Sequence, residues 1–149
     1  MSQWSLWSFF WRDSKIVVSG KIIFPNGLLS DVKPYRELEA TDPSLSMILR
    51  EILLTDNVAK VRNFDVSELE DDIAFLRLLG VKSERELARK AKYLSVERNF
   101  ERFDVMLFHG RPSGSFEGSP ELSARIPKSM NLDDTVAVLI EEFTRTPST

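Results

Sequence analysis

The chain has 149 residues, 42% apolar and 29% charged, which is typical of one globular domain and not of a disordered or membrane-spanning protein. Its 20 basic and 23 acidic side chains give a net charge of −3, the wrong sign for binding nucleic acid. It has no cysteine, which excludes disulfides and thiolate chemistry and agrees with a reducing cytoplasm. We therefore expect one cytoplasmic domain over residues 1–149, away from nucleic acid and membrane, with a frayed tail near 145–149.

The stretch "WSLWSFFW" near the start holds all three tryptophans. It lacks the basic start of a secretory signal, and charged residues end it well before the length of a membrane span. Aromatic residues favour a pleated surface, so the stretch predicts a strand with Trp7, Phe9 and Trp11 under the helices. Trp4 and Phe10 are expected on the opposite face, partly covered at a sheet edge or exposed. An exposed Phe10 would be a candidate anchor for a partner.

Strand patterns continue on both sides of a helical middle region. Apolar segments flanking Gly20 predict two strand segments, with a hairpin or bulge at the glycine. Residues 28–34 indicate an exposed loop, and the alternation over 35–39 predicts another strand. A hairpin with a charged turn follows at 93–107. The hairpin is followed by a predicted long loop at 110–120 and a predicted short strand at 122–126.

Helix-start signals recur four times, each a side chain placed to accept hydrogen bonds from the first free amides. They are Thr41 or Asp42 before a helix at 43–55, Ser67, Ser83 and Asn131. Gly80 is placed to end the second helix in a left-handed turn. The strand and helix near Asp42 are echoed near Asn131, which predicts a pseudo-symmetric α+β sandwich in which both helices cover the same sheet. The sequence thus predicts an α+β fold, a mainly antiparallel sheet of about five to six strands packed against about four helices.

Catalytic patterns are sparse. The single histidine, His109, ends a predicted strand and cannot by itself form a two-histidine metal site. As a general base it would need a positioned partner that the sequence does not identify. The serines of "GRPSGSFEGS" do not lie in the nucleophile motif Gly-x-Ser-x-Gly. We therefore expect no enzyme activity, no catalytic residue, no metal and no cofactor, and an enzyme using His109 with a nearby carboxylate is the rival hypothesis.

Four carboxylates lie within five residues at the start of the second predicted helix. They are Glu68, Glu70, Asp71 and Asp72. Negative charge at this position interacts favourably with the helix dipole, which explains such a run on a solvated face. The same residues also form a negative patch, and such patches complement proteins whose own sites are basic.

The second half of the chain resembles contact-dependent growth inhibition immunity proteins. The similar segments, in order, are "LLGVKSERELARKAKYLSVER", "GSFEG" and "RIPKSMNLDDTVAVLIEEFTR". The residues that carry the likeness are Gly80, Lys82 and Ser83 at a helix start, Ser95 and Glu97 in a strand, Gly114, Phe116 and Gly118 in a loop, and the closing segment Ile126 to Phe143. The first half is similar in layout.

The resemblance implies a small cytoplasmic protein that is not an enzyme. It would bind the C-terminal toxin domain of a delivered protein, commonly a nuclease, and cover its active site. We expect Glu68, Glu70, Asp71 and Asp72 to contact that toxin. The alternative is a chaperone or adaptor for a secreted effector, which would bind an extended segment instead of a folded domain.

Overall fold

The structure, a computed structural model, describes residues 5–23, 29–55 and 72–145. The strands are β1 (Ser5–Arg12), β2 (Lys15–Ile23), β3 (Leu29–Glu39), β4 (Lys92–Asn99), β5 (Arg102–Gly110) and β6 (Phe116–Gly118). The helices are α1 (Leu45–Leu54), α2 (Asp72–Leu78), α3 (Glu84–Lys90), α4 (Pro120–Ser123) and α5 (Leu132–Thr144). These elements confirm the expected α+β class.

All six strands form one antiparallel sheet in the order β3-β2-β1-β4-β5-β6. Strands β1 to β3 form one meander and β4 to β6 form another, and the two meanders join where β1 pairs with β4. Helix α1 follows the first meander and α5 follows the second. This repeated order explains the sequence echo, because each half is three strands and a covering helix.

Helices α1 and α5 cover the same sheet, as predicted, and the structure places both on one face of it. Trp7, Phe9 and Trp11 point to this face and pack among the buried apolar side chains of both helices. The ring of Phe143 on α5 lies 5.7 Å from Phe9 and 5.1 Å from Trp11, measured between centroids. The two helices also contact each other, and Arg50 of α1 forms an ion pair with Asp133 of α5.

Phe10 lies on the opposite face, as predicted, but α2 and α3 cover that face near its centre, so the expectation that Phe10 is partly covered or exposed is wrong. Phe10 is only 6% exposed and packs with Leu79 and Leu87. Its ring stacks on Tyr93 at 4.3 Å, and Tyr93 stacks on Phe108 at 4.4 Å. The physical reason is that β1 is an inner strand buried on both faces, which alternation alone does not reveal. Trp4 lies outside the described residues.

The ends of the helices follow local chemistry at most of the predicted positions. Ser83 caps α3 by accepting the Glu86 amide at 3.1 Å, and Asn131 caps α5 by accepting the Asp134 amide at 2.8 Å. Gly80 ends α2 in a left-handed turn with φ of +69°. Ser67 lies outside the described residues.

Helix α1 begins two residues later than predicted. Its N-cap is Ser44, and no side chain caps it there. The predicted cap Asp42 instead accepts the Ser44 amide at 2.8 Å in the turn before the helix. The other candidate, Thr41, also precedes the helix and does not begin it.

Two strand predictions in the first half need correction. The segments on either side of Gly20 form one continuous strand, β2, and not a hairpin. The predicted irregularity is present, because the β2–β3 register shifts between Val18 and Gly20. The segment predicted as a loop over 28–34 belongs largely to β3, which begins at Leu29. Charged and proline residues gave it a loop composition, and pairing with β2 overrides that local preference.

The region 116–126 reverses the predicted order of loop and strand. β6 lies inside the predicted loop, and the predicted strand at 122–126 is instead the end of α4 followed by a turn. Ser119 accepts the Leu122 amide at 3.2 Å and Pro120 follows it, a helix-start pair that strand alternation obscured. β6 pairs with β5 only from Phe108 to Gly110. The preceding amide, of Leu107, instead donates to Ser123 Oγ at 3.0 Å, which fixes α4 to β5.

Phe10→Ala provides a direct test of the second helix layer. We expect a loss of about 3–5 kcal/mol in unfolding free energy, the usual cost of deleting a buried phenylalanine. The measurement is the urea midpoint followed by circular dichroism. Met106→Ala is the control, because that side chain is 49% exposed and should change stability little. Equal effects of the two substitutions would contradict the two-sided burial of β1.

Candidate functional site

The predicted acidic contact residues fall almost entirely beyond what the structure describes. Glu68, Glu70 and Asp71 lie outside the described residues, and Asp72 is the first residue of α2, with its side chain undescribed. Their role as contact residues stays a prediction. In the chain they follow α1, whose last residue, Leu54, belongs to the surface described next.

The two most exposed large apolar side chains of the described chain line one cavity. Leu54 at the end of α1 and Phe100 in the β4–β5 turn are each 64% exposed. They border a cavity of about 490 Å³ together with Glu101, Asn131 and Leu132. We call these five residues the hairpin-tip surface. Adjacent exposed apolar side chains of this size are typical of sites that bind another protein.

The backbone of Phe100 is strained. It is the first residue of a two-residue turn between β4 and β5 and has φ of +59°, a conformation that disfavours bulky side chains. The β1–β2 turn has the same geometry at Asp13, with φ of +54°, and aspartate tolerates it. Local folding thus favours glycine, asparagine or aspartate at position 100, and a phenylalanine there points to a function for the side chain.

A buried arginine holds the hairpin next to the end of α1. Arg98 is 4% exposed, and its Nη1 donates to the Leu53 carbonyl oxygen at 2.6 Å. Its Nη2 donates to Ser5 Oγ at 3.2 Å, and the guanidinium lies 5.6 Å from the Trp7 ring centroid. The cation also interacts favourably with the negative C-terminal end of the helix. Arg98 therefore sets the relative position of Leu54 and Phe100.

Two carboxylates lie near the turn end of the same hairpin. Glu97 and Asp104 are directly opposite each other on β4 and β5. Like charges in such a pair repel, and Asp104 is partly compensated because its Oδ1 accepts the Ser129 amide at 2.8 Å. Both residues line a cleft of about 370 Å³ that also includes Met106 and Lys128. They alternate along the strands with Val96 and Val105, which pack under α1 and α5, so they lie on the face of the sheet opposite to Leu54.

Phe100→Gly should stabilise the free protein. Glycine removes the steric strain at positive φ, and little apolar burial is lost, so we expect a gain of about 1 kcal/mol in unfolding free energy. Asp13→Gly, at the matching turn, should change stability by less than about 0.5 kcal/mol. Denaturant unfolding of the three proteins measures both effects. A Phe100→Gly protein less stable than the natural chain would show that Phe100 serves folding.

A second cavity, of about 450 Å³, lies at the opposite end of the β4–β5 hairpin. Its polar lining residues include Lys92, His109, Arg125, Glu142 and Arg145, which we call the cationic pocket. The buried carboxylate of Glu142 accepts hydrogen bonds from Arg125 Nη2 and, at 3.2 Å, from Arg145 Nε. Four elements contribute these side chains: β4, β5, the segment after α4, and the end of α5 with the residue that follows it.

His109 also takes part in a surface ion pair. Its Nε2 lies 3.5 Å from Glu117 Oε2 on β6, and the same oxygen accepts Arg111 Nη1 at 2.8 Å. This supplies the carboxylate that the enzyme hypothesis requires. All three side chains are about half exposed, so the pairing contributes under about 1 kcal/mol. Among the described residues, no three histidine or acidic side chains form a metal-binding group.

Sequence reasoning missed both surfaces for different reasons. Phe100 had a visible signal, a large apolar side chain in the turn of a correctly predicted hairpin. Arg125 and Glu142 had no such signal in the sequence. They are 17 residues apart with a helix start between them, and no motif has that spacing. Only the packing of α5 beside β5 brings them together.

These features define an α+β protein with helices on both faces of one six-stranded antiparallel sheet. No helix among the described residues has the length and apolar character needed to span a bilayer. The chain is similar in fold to a protein of unknown function from Neisseria meningitidis, with a TM-score of 0.61, 12% identity, and coverage of 97% of this chain and 95% of that one. No protein-family model and no curated protein matches the chain.

Proposed function

We propose that this protein is a cytoplasmic immunity protein of a contact-dependent growth inhibition system. It binds the C-terminal domain of the cognate toxin, a nuclease, and neutralises it by covering its active site. The observation that carries the proposal is the strained, exposed Phe100 beside Leu54, because this arrangement costs the free protein stability and suits it to bind a protein.

The resemblance to immunity proteins supplies the kind of partner. The residues that carry it lie in several different elements: Ser83 caps α3, Ser95 and Glu97 lie in β4, and Phe116 packs against Phe10 at 5.8 Å between ring centroids. Most of them support the fold rather than contact a partner. The likeness therefore supports a shared scaffold, and the hairpin-tip surface is this chain's own contribution.

Charge supports a basic partner. Glu101 lines the cavity at the hairpin tip, and the predicted acidic contact residues from Glu68 to Asp72 follow α1 in the chain. Nucleases carry cationic side chains where they hold phosphate, so a negative surface is electrostatically complementary to them. On this proposal the apolar side chains supply affinity, and the acidic run from Glu68 to Asp72 speeds association with a basic partner.

Inhibition of this kind needs no chemistry in the immunity protein. A stable protein–protein interface buries about 800 Å² on each partner, enough to exclude a nucleic-acid substrate from a small catalytic cleft. The arginine clamp at Arg98 keeps the apolar anchor in one position before binding. Such a rigid surface loses less conformational entropy when the complex forms.

Co-production tests the function itself. Cells that express the toxin domain encoded beside this gene should stop growing, and co-production of this protein should restore growth. Growth arrest that persists despite soluble, folded protein would refute the proposal. If the protein instead protects an unfolded export segment of the neighbouring protein from proteolysis, the chaperone or adaptor hypothesis replaces it.

Phe100→Gly and Leu54→Ala test the binding surface. Each should raise the Kd for the purified toxin domain about 30-fold, the effect of removing an apolar hot spot of about 2 kcal/mol. Leu122→Ala is the matched control, because Leu122 is also exposed but lies at the cationic pocket. Calorimetry measures all three. Phe100→Gly should bind more weakly while unfolding at higher denaturant, a combination that a folding defect cannot produce.

The acidic run has its own test. Replacing Glu68, Glu70, Asp71 and Asp72 with the corresponding amides should lower the association rate for the toxin domain about tenfold at low salt. High salt should reduce the difference. Stopped-flow association at two salt concentrations checks this, with the double amide variant of the exposed Glu84 and Glu121 as control. An unchanged rate would remove these four residues from the interface.

A further inference from the structure

The cationic pocket combines an excess of positive charge with a concave, partly open shape. The chain as a whole has a net charge of −3, yet Lys92, Arg125 and Arg145 border one cavity together with His109. Glu142 is the single carboxylate in the lining, so the permanent charges at the cavity are positive in excess. The side chains of Arg125, Arg145 and His109 are each between 40% and 49% exposed, which makes them accessible to a ligand.

Glu142 positions the arginines without using all their donors. Its buried carboxylate accepts Arg125 Nη2 at 3.0 Å through Oε2 and Arg145 Nε at 3.2 Å. Arg145 Nη2 donates outward to Glu141, which is not part of the lining. Within the described part of the chain, Nε and Nη1 of Arg125 and Nη1 of Arg145 have no hydrogen-bond partner. Preorganised guanidinium groups with spare donors are suited to carboxylate and phosphate oxygens.

The rest of the lining is apolar. Trp11 and Leu107 of the strands and Leu122 of α4 supply apolar side chains on the α5 face, whereas Tyr93 and Phe108 border the cavity but direct their rings to the opposite face of the sheet. A volume of about 450 Å³ lies in the range of small-molecule sites. An inorganic ion would leave most of this space and all of its apolar surface unused, whereas an anion with a flat apolar body would fill both.

We infer that the cationic pocket binds a small organic anion, with its carboxylate or phosphate at Arg125, Arg145 and Lys92 and a flat apolar group against the strand side chains. This site is separate from the proposed toxin surface, because it lies at the other end of β4 and β5 from Phe100. The inference does not depend on the immunity function.

Three probes separate the parts of this ligand: phenyl phosphate, inorganic phosphate and benzyl alcohol. Calorimetry on the full chain at low salt should give saturable one-to-one binding of phenyl phosphate with a Kd below about 1 mM. The other two probes should bind at least tenfold more weakly, because each provides only one half of the contacts. Equal binding of phenyl phosphate and inorganic phosphate would overturn the organic-anion assignment, and no binding of any probe would overturn the site.

Substitutions decide whether the pocket residues themselves hold the probe. Lys92→Gln and Arg145→Gln should each raise the phenyl phosphate Kd about tenfold, the effect of losing one charged hydrogen bond. Lys90→Gln is the matched control, since Lys90 is two residues away and pairs with Glu86 outside the pocket. Lys92 takes no part in the Glu142 ion pairs, so its variant tests binding even if Arg145→Gln unfolds the chain. Equal Kd values for Lys92→Gln and Lys90→Gln would refute the assignment.

Discussion

The burial of β1 on both faces is the constraint on which the other elements depend. Its side chains alternate between two apolar clusters, with Phe9 fully buried on one side and Phe10 nearly so on the other. A strand with large side chains on both faces needs neighbouring strands on both edges and helices on both faces. The join of the two meanders at β1 and β4, and the two helix layers, satisfy that need.

Two arginines fix the helix layers to the sheet at opposite ends. Arg98 donates to the Leu53 carbonyl at the end of α1, and Arg12 donates to the Gly80 carbonyl at 2.8 Å after α2. Each places a cation where the helix has unpaired carbonyl groups and a negative dipole end. The Arg98 contact also holds the end of α1 next to the β4–β5 hairpin, where the exposed Leu54 and Phe100 line one cavity. Under the proposed function, this structural contact would also organise the binding surface.

The two surfaces differ in how the fold produces them. The hairpin-tip surface includes a turn phenylalanine whose positive φ disfavours a bulky side chain. Its proposed function is inferred from this local backbone strain. The cationic pocket forms where α5 packs beside β5. Its proposed ligand is inferred from the charged side chains that distant segments bring together there. They lie at opposite ends of one hairpin and share no lining residue.

The sequence by itself determined the fold class, the alternation of β1, the β4–β5 hairpin, the caps at Ser83 and Asn131 and the turn at Gly80, because each depends on neighbouring residues. It also indicated that α1 and α5 cover the same sheet, through the repeated strand and helix order, whereas the structure showed that they share one face. Only the tertiary structure decided that Phe10 is buried, that the segment from Leu29 pairs as a strand, and that Arg125 meets Glu142. Those outcomes depend on which distant segment covers or pairs with each residue, and no local pattern encodes that choice.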